Sequence, residues 1–486
     1  MHRYSKQLAL LLLIMSLIVL VNVEKGYAAE KVNFSYIYSI SKNEYIKHVD
    51  RANNSINIVS PNYFDLSKTG DLIITANFDG NFIKEMHNRN IKVVPFLSNH
   101  WDKESGLNAL KNADVLSTKI VEQVHKNNLD GVNIDIEGLS HTERDAFTEF
   151  IKTLKSKMPV GKELSVAVAA NPKESKIGWN GSYDYNALAK YADYLIIMAY
   201  DESYRGSKTP GPVASSEFIE KSIQYALKEN VPSNKIVLGI PFYGRMWKSD
   251  DVIAGSGFLG ESVWMSKSAA LLNQFGGRSE YVPEKASMVA KFTISETDSP
   301  FKLFSWKDPL TPGDYELWFD NDQTLQKKLT YVNQYNLKGT ANWSLGQEST
   351  SIWTAYKTWL NPTVAVSNPT DIEVYINGEH QVFDQVPIIQ SGSTLVPMRG
   401  IFEALGAVVN WDAETGEITA RTSHASIWLK ANSKNTTVNG VSKEIDVPAQ
   451  IIAGRTLVPL RFVGEALGAT VTWVAETRDV LIDKAL

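Results

Sequence analysis

The run Asp130-Gly131-Val132-Asn133-Ile134-Asp135-Ile136-Glu137 is the stretch of this chain best equipped for chemistry. Read as a β-strand, its side chains alternate, so Val132, Ile134 and Ile136 share one face while Asn133, Asp135 and Glu137 share the other. Two carboxyl groups on one face, with Glu137 last, are residue types that hold and move protons. A half-exposed strand with a solvated polar face is the bland alternative, and the apolar strands read on either side of it argue against that. The chain has no cysteine, and its eight histidines show no metal-ligand spacing. Neither a metal nor any other cofactor is expected.

The elements that must position this strand recur along most of the chain. From Glu30 to about Asn361, short β-prone apolar runs alternate with helical patterns, the signature of βα units around a parallel sheet. Strands are read as starting near Val32, Ser55, Ile91, Gly131, Glu163, Tyr194, Lys235 and Gly339. Eight of them predict an α/β fold of the closed (β/α)8 type, the TIM barrel, in which the C-terminal ends of the strands carry the chemistry. Ser140 and Glu143 form a capping box ahead of Phe147, Phe150, Ile151 and Leu154 on one helical face. The 104 residues from Lys235 to Gly339 are too many for one βα unit. A small α+β insertion between strands seven and eight, about residues 248–312, is therefore predicted, and it would wall the active-site face.

Length and composition bound the rest. A chain of 486 residues exceeds the usual size of one domain. A net charge of −5 with no long basic run argues against nucleic-acid binding. At the N-terminus, Arg3 and Lys6 precede an uncharged apolar stretch from Leu8 to Val23, and then Gly26-Tyr27-Ala28-Ala29. This predicts a secretory signal peptide over residues 1–29 rather than a membrane span, which needs about 20 apolar residues. The mature protein is expected to be secreted or associated with a cell wall.

After a Pro/Ser/Thr/Asn-rich linker at 362–370, residues 371–486 contain an internal repeat. Asn377-Gly378 recurs as Asn439-Gly440, Leu395-Val396-Pro397-Met398-Arg399 as Leu457-Val458-Pro459-Leu460-Arg461, and Glu403-Ala404-Leu405-Gly406-Ala407 as Glu465-Ala466-Leu467-Gly468-Ala469. Each offset is 62 residues, and Trp411 matches Trp473 in the same register. A C-terminal α+β domain of two repeats is expected, each unit reading as strand, turn, strand, short helix, strand.

Residues 130–137 resemble the DGxxxDxE signature of glycoside hydrolase family 18. Met198-Ala199-Tyr200-Asp201, Gly239-Ile240-Pro241-Phe242-Tyr243-Gly244-Arg245 and Trp343 extend the resemblance in order over most of 30–361. The resemblance implies substrate-assisted hydrolysis next to an N-acetylated sugar, a departure from the usual scheme of two enzyme carboxylates. Glu137 would then be the general acid and, later, the base. Asp135 would hold the acetamide, stabilise the oxazolinium ion and raise the pKa of Glu137 as a like charge. Tyr200 would bind the acetamide carbonyl and Trp343 would floor the sugar site. Tyr243, Arg245 and Asp201 would contact substrate, with Asn133 and Asp130 in support. Tyr38, Phe96, Tyr63 and Trp101, at predicted strand ends, are further cleft candidates. Taken singly, Tyr243, Trp343 and Asp201 could equally be structural.

Many members of the family have Asp where this chain has Asn133, so proton sharing with Asp135 is unavailable, although the amide could donate a hydrogen bond to it. This departure resembles the branch of spore-cortex and cell-wall N-acetylglucosaminidases and moves the expected substrate toward peptidoglycan. Chitinase action, glycoprotein deglycosylation, a carbohydrate-binding protein on an inactive barrel, and a structural wall protein are the alternatives. The repeat with its LVPMR and LVPLR motifs resembles the stalk domain named after the copper amine oxidase N-terminal domain. His380 and His424 are too few to bring copper with it. Wall attachment, or equally a stabilising or dimerising role, is expected of it.

Overall fold

Eight short parallel strands build the larger part of the molecule: β1 (Val32–Ile37), β2 (Ile58–Pro61), β3 (Phe96–Ser98), β4 (Gly131–Asp135), β5 (Glu163–Ala169), β6 (Tyr194–Met198), β7 (Ile236–Pro241) and β8 (Gly339–Trp343). The computed structural model describes residues 30–361 and, apart from 382, 384–386, 391–392, 413–414, 453–454 and 475–478, residues 372–484. The expected signal peptide and the expected linker lie outside the described residues.

Pairing carries the ring around. β8 pairs in parallel with β7 and with β1, β1 pairs with β2, and β4 to β7 pair in sequence. The segment 92–98 closes it in two pieces. Lys92–Val93 pairs with β2, and β3 pairs with β4. The break falls at Pro95, which has no N–H to give to a ladder. A hairpin of Phe64–Leu66 and Leu72–Ile74 extends the sheet beside β3.

The outward faces of the strands are buried under helices. Val132, Ile134 and Ile136 are buried in one cluster with Phe147, Phe150, Ile151 and Leu154 of the helix Arg144–Lys157. Each such side chain stabilises the fold by about 1.5–3 kcal/mol. The chain enters that helix through a 3-10 turn, His141–Glu143, on which Ser140 and Glu143 form the capping box. Inside the barrel, Phe34, Tyr36, Phe96, Tyr194 and Ile196 pack together, and Asn33, Ser35, Asn133, Ser165 and Asn342 are buried.

Between β7 and β8 the chain forms a five-stranded antiparallel sheet from Tyr243–Lys248, Glu261–Trp264, Arg278–Val282, Ser287–Ile294 and Gly313–Phe319. The helices Ser249–Ala254 and Met265–Phe275 accompany it. Its outer bounds lie beyond 248–312, because Tyr243–Lys248 follows β7 with no glycine or proline at the junction after Pro241 to mark where one sheet ends and the next begins.

The chain divides into two units at Pro362 and Thr363. In the second, the helices Met398–Ala404 and Leu460–Ala466 occupy equivalent places in the repeat, and the preceding strands Ser393–Pro397 and Arg455–Pro459 pair antiparallel with Val396 opposite Val458. Asn377-Gly378 and Asn439-Gly440 each turn a hairpin with positive φ at both residues. That is the geometry for which Asn-Gly is selected in two-residue hairpin loops.

Candidate active site

β4 delivers Asn133, Asp135 and Glu137 to the inside of the barrel, the last two at its C-terminal mouth. Asn133 is fully buried. Its Oδ1 accepts from the Tyr36 hydroxyl at 3.0 Å and its Nδ2 donates to Ser165 Oγ at 2.9 Å. The amide expected to serve Asp135 is therefore committed to β5 instead. Asp135 is 4% exposed, and its Oδ1 has no hydrogen-bond partner among the described residues.

Burial pushes the Asp135 carboxyl up to about 7, and the charge of His100 pulls the other way. Burial also holds Glu137 well above the usual carboxylate range, with the charges of Asp135 and Asp201 adding to it and a hydrogen bond from Trp101 opposing. Both carboxyls are thus raised, Asp135 chiefly by burial and Glu137 by burial and by the Asp135 charge.

Glu137 is fixed by a residue the sequence reading did not single out. Asn99, directly after β3, accepts from the Glu137 N–H at 2.8 Å and donates to the Glu137 carbonyl at 2.7 Å. Its side chain thus replaces a ladder partner where regular strand has ended. Trp101 lies beside it, and Gly138, at φ +74°, lets the chain pass, since a Cβ there would sit 3.2 Å from the Trp101 carbonyl oxygen. The Trp101 ring packs against Trp179 at 4.7 Å with the planes tilted by 47°. Tyr36 was also missed, although alternation along β1 places it on the same face as Tyr38.

The loop after β6 supplies Tyr200 and Asp201. Tyr200 packs edge-on to Tyr243 at 6.4 Å, and its hydroxyl is held well above its usual pKa by burial and by the charges of Asp135, Glu137 and Asp201. Gly239 of β7 makes room for it, since a Cβ there would meet the Tyr200 ring at 3.0 Å and the Ile197 carbonyl oxygen at 2.4 Å. Asp201 accepts from the Tyr243 hydroxyl at 2.8 Å and from Arg245 Nη2 at 2.6 Å. Arg245 also lies 5.0 Å over the Tyr243 ring and donates to Ser262 Oγ at 2.6 Å. This network ties the β6 loop to the inserted sheet.

At the end of β8, the Trp343 ring lies 5.2 Å from Tyr36, 5.5 Å from Tyr38 and 6.0 Å from Phe96; the Trp343–Ser344 peptide is cis. Tyr38 is 42% exposed and open to the cleft. Beside it His100 is paired with Asp65 at 2.8 Å.

Three expected residues are placed elsewhere. Phe96 is fully buried, so it backs Trp343 instead of offering a face. Tyr63 lies in the outer core with its hydroxyl on the Asp79 carbonyl. Asp130 precedes Gly131 at the opposite end of β4, about 16 Å along the strand from Asp135, and there it meets His87 at 2.8 Å and the Val93 N–H at 2.8 Å. Among the described residues no group of three or more His, Cys, Asp or Glu side chains could hold a metal ion.

Residues 29–348 match the family described as glycosyl hydrolases family 18. The chain belongs to that family. Residues 375–482 match the copper amine oxidase N-terminal domain. A putative sporulation-specific glycosylase of Bacillus subtilis is 29% identical over 231 residues, 47% of this chain and 50% of that protein. A cortical fragment-lytic enzyme of the same organism is 24% identical over 297 residues, 60% of this chain and 64% of that one. The chain thus spans between half and two thirds of the length of these two relatives. Among solved structures, a chitinase from Chromobacterium violaceum aligns with a TM-score of 0.59 at 25% identity, covering 68% of this chain and 99% of that one. No helix of the described residues is long and apolar enough to cross a membrane.

Proposed function

We propose that this family 18 protein hydrolyses β-1,4 linkages next to N-acetylglucosamine, in peptidoglycan or a related polymer, with retention of configuration. The observation that carries the reading is the pair of buried Asp135 and half-buried Glu137 at the mouth of β4, with both carboxyls raised and Tyr200 close enough to feel both charges. Glu137, protonated, gives its proton to the glycosidic oxygen as the bond to the anomeric carbon breaks. The acetamide carbonyl oxygen of the sugar attacks that carbon from the other side, and the positive oxazolinium ion forms against the Asp135 carboxylate. The orphaned Oδ1 of Asp135 is free to accept the acetamide N–H, and the Tyr200 hydroxyl to donate to the acetamide oxygen. Glu137, now ionised, takes a proton from water, whose oxygen bonds to the anomeric carbon on the face the leaving group left, as the bond from that carbon to the acetamide oxygen breaks and the acetamide is restored. Trp343 and Tyr38 supply an apolar floor for the sugar ring. General acid help of this kind contributes about 10²–10⁴ in rate.

Support for a wall polymer comes from Asn133 and from the relative named as a cortical fragment-lytic enzyme. Chitin is the second reading, favoured by the likeness to a chitinase over 99% of its length. Residues 1–29 would direct export, and the unit after a linker at 362–370 would act as a spacer or hold the enzyme at the wall. The test is release of reducing sugar from purified peptidoglycan and from chitin, with Glu137→Gln alongside. Cleavage by the wild type and loss in the variant supports the reading, and the preferred polymer names the substrate. Binding without cleavage by the wild type would put a carbohydrate-binding protein in its place.

A further inference from the structure

We infer that His100, held by Asp65, supplies the positive charge that balances the Asp135 carboxylate during the reaction, and so acts as a positioning residue in a task that Asn133 does not perform. This rests on the proposed glycosidase reading, in which Asp135 carries a negative charge as the oxazolinium ion forms, and extends it to how that charge is kept in a buried site.

Three strands put the groups in one row. Asp65, in the strand Phe64–Leu66, is the parallel register partner of Ser98 at the end of β3, and Ser98 is the partner of Asp135 at the end of β4. Register partners leave the same face of a sheet, so Asp65 and Asp135 flank Ser98 on the inner face, with about 10 Å between their Cα atoms. His100 stands two residues beyond Ser98. Its N–H donates to Ser98 Oγ at 3.0 Å, and its Nε2 lies 2.8 Å from Asp65 Oδ1, which also accepts from Asn62 Nδ2 at 2.9 Å. On its other side the ring meets Tyr38, with 6.0 Å between centroids. Backbone φ is +48° at His100 and +62° at Trp101, a left-handed conformation that residues other than glycine keep only where the surroundings hold them. The imidazole is therefore fixed on Asp65, near enough to Asp135 for each to feel the other's charge.

Asp65 keeps the imidazole charged. Its hydrogen bond raises the His100 pKa against the lowering effect of burial, and the charges of Asp65 and Asp135 add to the rise. Asp65 is itself partly buried, yet the bonds from His100 and Asn62 hold it below the usual carboxylate range. At Asp135 burial favours the neutral acid and the charge of His100 opposes it, while the amide of Asn133 is spent on Tyr36 and Ser165. The ionisable groups that face His100 are Asp65 from the hairpin, Tyr38 from β1 and Asp135 from β4. The Tyr38 hydroxyl, raised by burial and by the charge of Asp65, stays neutral. Loss of the His100 proton thus withdraws the cation on which the Asp135 carboxylate leans.

The first experiment records the pH profile of kcat/KM on a β-1,4-linked N-acetylglucosamine oligomer for the full chain, His100→Gln and His100→Lys. Glutamine keeps a donor for Asp65 without the charge, so the acidic limb, which reports ionisation of Asp135, should move to higher pH, and kcat/KM should fall about threefold to tenfold more at pH 5.5 than at pH 8. Lysine restores a cation and should return most of the loss. An equal loss at both pH values in His100→Gln, or a lysine variant no better than the glutamine one, overturns the inference. The second experiment needs no activity. The His100 ring signal, identified by its absence from His100→Gln, is titrated by NMR in the wild type and in Asp135→Asn. Coupling between two groups is reciprocal, so Asp135→Asn should move the His100 midpoint to lower pH; an unmoved midpoint overturns the inference. A moved midpoint in a protein that cleaves nothing sinks the hydrolase reading alone.

Discussion

Asp135→Asn should make the folded protein more stable at alkaline pH while removing its activity. The Asp135 carboxyl is raised from 3.8 to about 7, chiefly by burial. A carboxyl raised on folding stabilises the fold fully only below its unfolded pKa, and that contribution is lost as pH rises through the folded value. A shift of roughly three units corresponds to about 4 kcal/mol of destabilisation by pH 8, of which about 3 kcal/mol accumulates between pH 5 and pH 8. Asparagine keeps the shape and drops the charge. Its amide, buried without a partner, costs about 1–3 kcal/mol at every pH. The variant is therefore expected to gain on the wild type by about 3 kcal/mol between pH 5 and pH 8, seen as a rise in relative Tm of the transition that reports the barrel. Calorimetry at the two pH values measures it. A difference between variant and wild type that is the same at pH 5 and pH 8 would refute the idea that Asp135 is buried as a strained carboxylate.

The pH profile of kcat/KM should be bell-shaped. Its alkaline limb reports loss of the proton from Glu137, and because Asp135 raises that pKa by charge, Asp135→Asn should move the limb to lower pH in whatever activity remains; an unmoved limb contradicts the coupling. Asn99→Ala removes both hydrogen bonds to the Glu137 backbone and should lower kcat by about tenfold or more with little change in KM, as expected when a catalytic group is loosened; a change in KM alone would assign Asn99 to substrate binding. Gly239→Ala would press on the Tyr200 ring and the Ile197 carbonyl and should cost about 1–3 kcal/mol of stability, measured by denaturant unfolding, along with activity; a fully stable and active variant would remove the role given to this glycine.

Much of this architecture could be read directly from residue order. Strand alternation assigned the faces of residues 131–137 because period two leaves no freedom once one face is apolar. The eight strands and the C-terminal repeat followed from spacing alone. What escaped depends on contacts between distant strand ends. Asn99 gains its function only because β3 ends beside β4, and Tyr36 only because its side chain reaches from β1 through the barrel interior to Asn133. Phe96 and Tyr38 are both aromatics at strand ends, yet the edge-on packing of Tyr36 and Trp343 against Phe96 hides one and leaves the other open. Asp130 belongs to the motif by sequence, but it lies at the end of β4 where strands begin, so it braces His87 and Val93 far from the mouth. The amide of Asn133 could not be assigned a partner from sequence, since the choice between Asp135 and Ser165 is set by the pairing of β4 with β5.

In the proposed mechanism Glu137 acts together with the acetamide of the substrate itself. The most direct measurement compares, at equal chain length, hydrolysis of a β-1,4-linked N-acetylglucosamine oligomer with hydrolysis of the same oligomer after complete removal of its acetyl groups, following the anomer of the first product by NMR. Cleavage of the acetylated oligomer with the β anomer formed first, and none of the deacetylated one, is expected. Equal cleavage of both, or the α anomer appearing first, would contradict it.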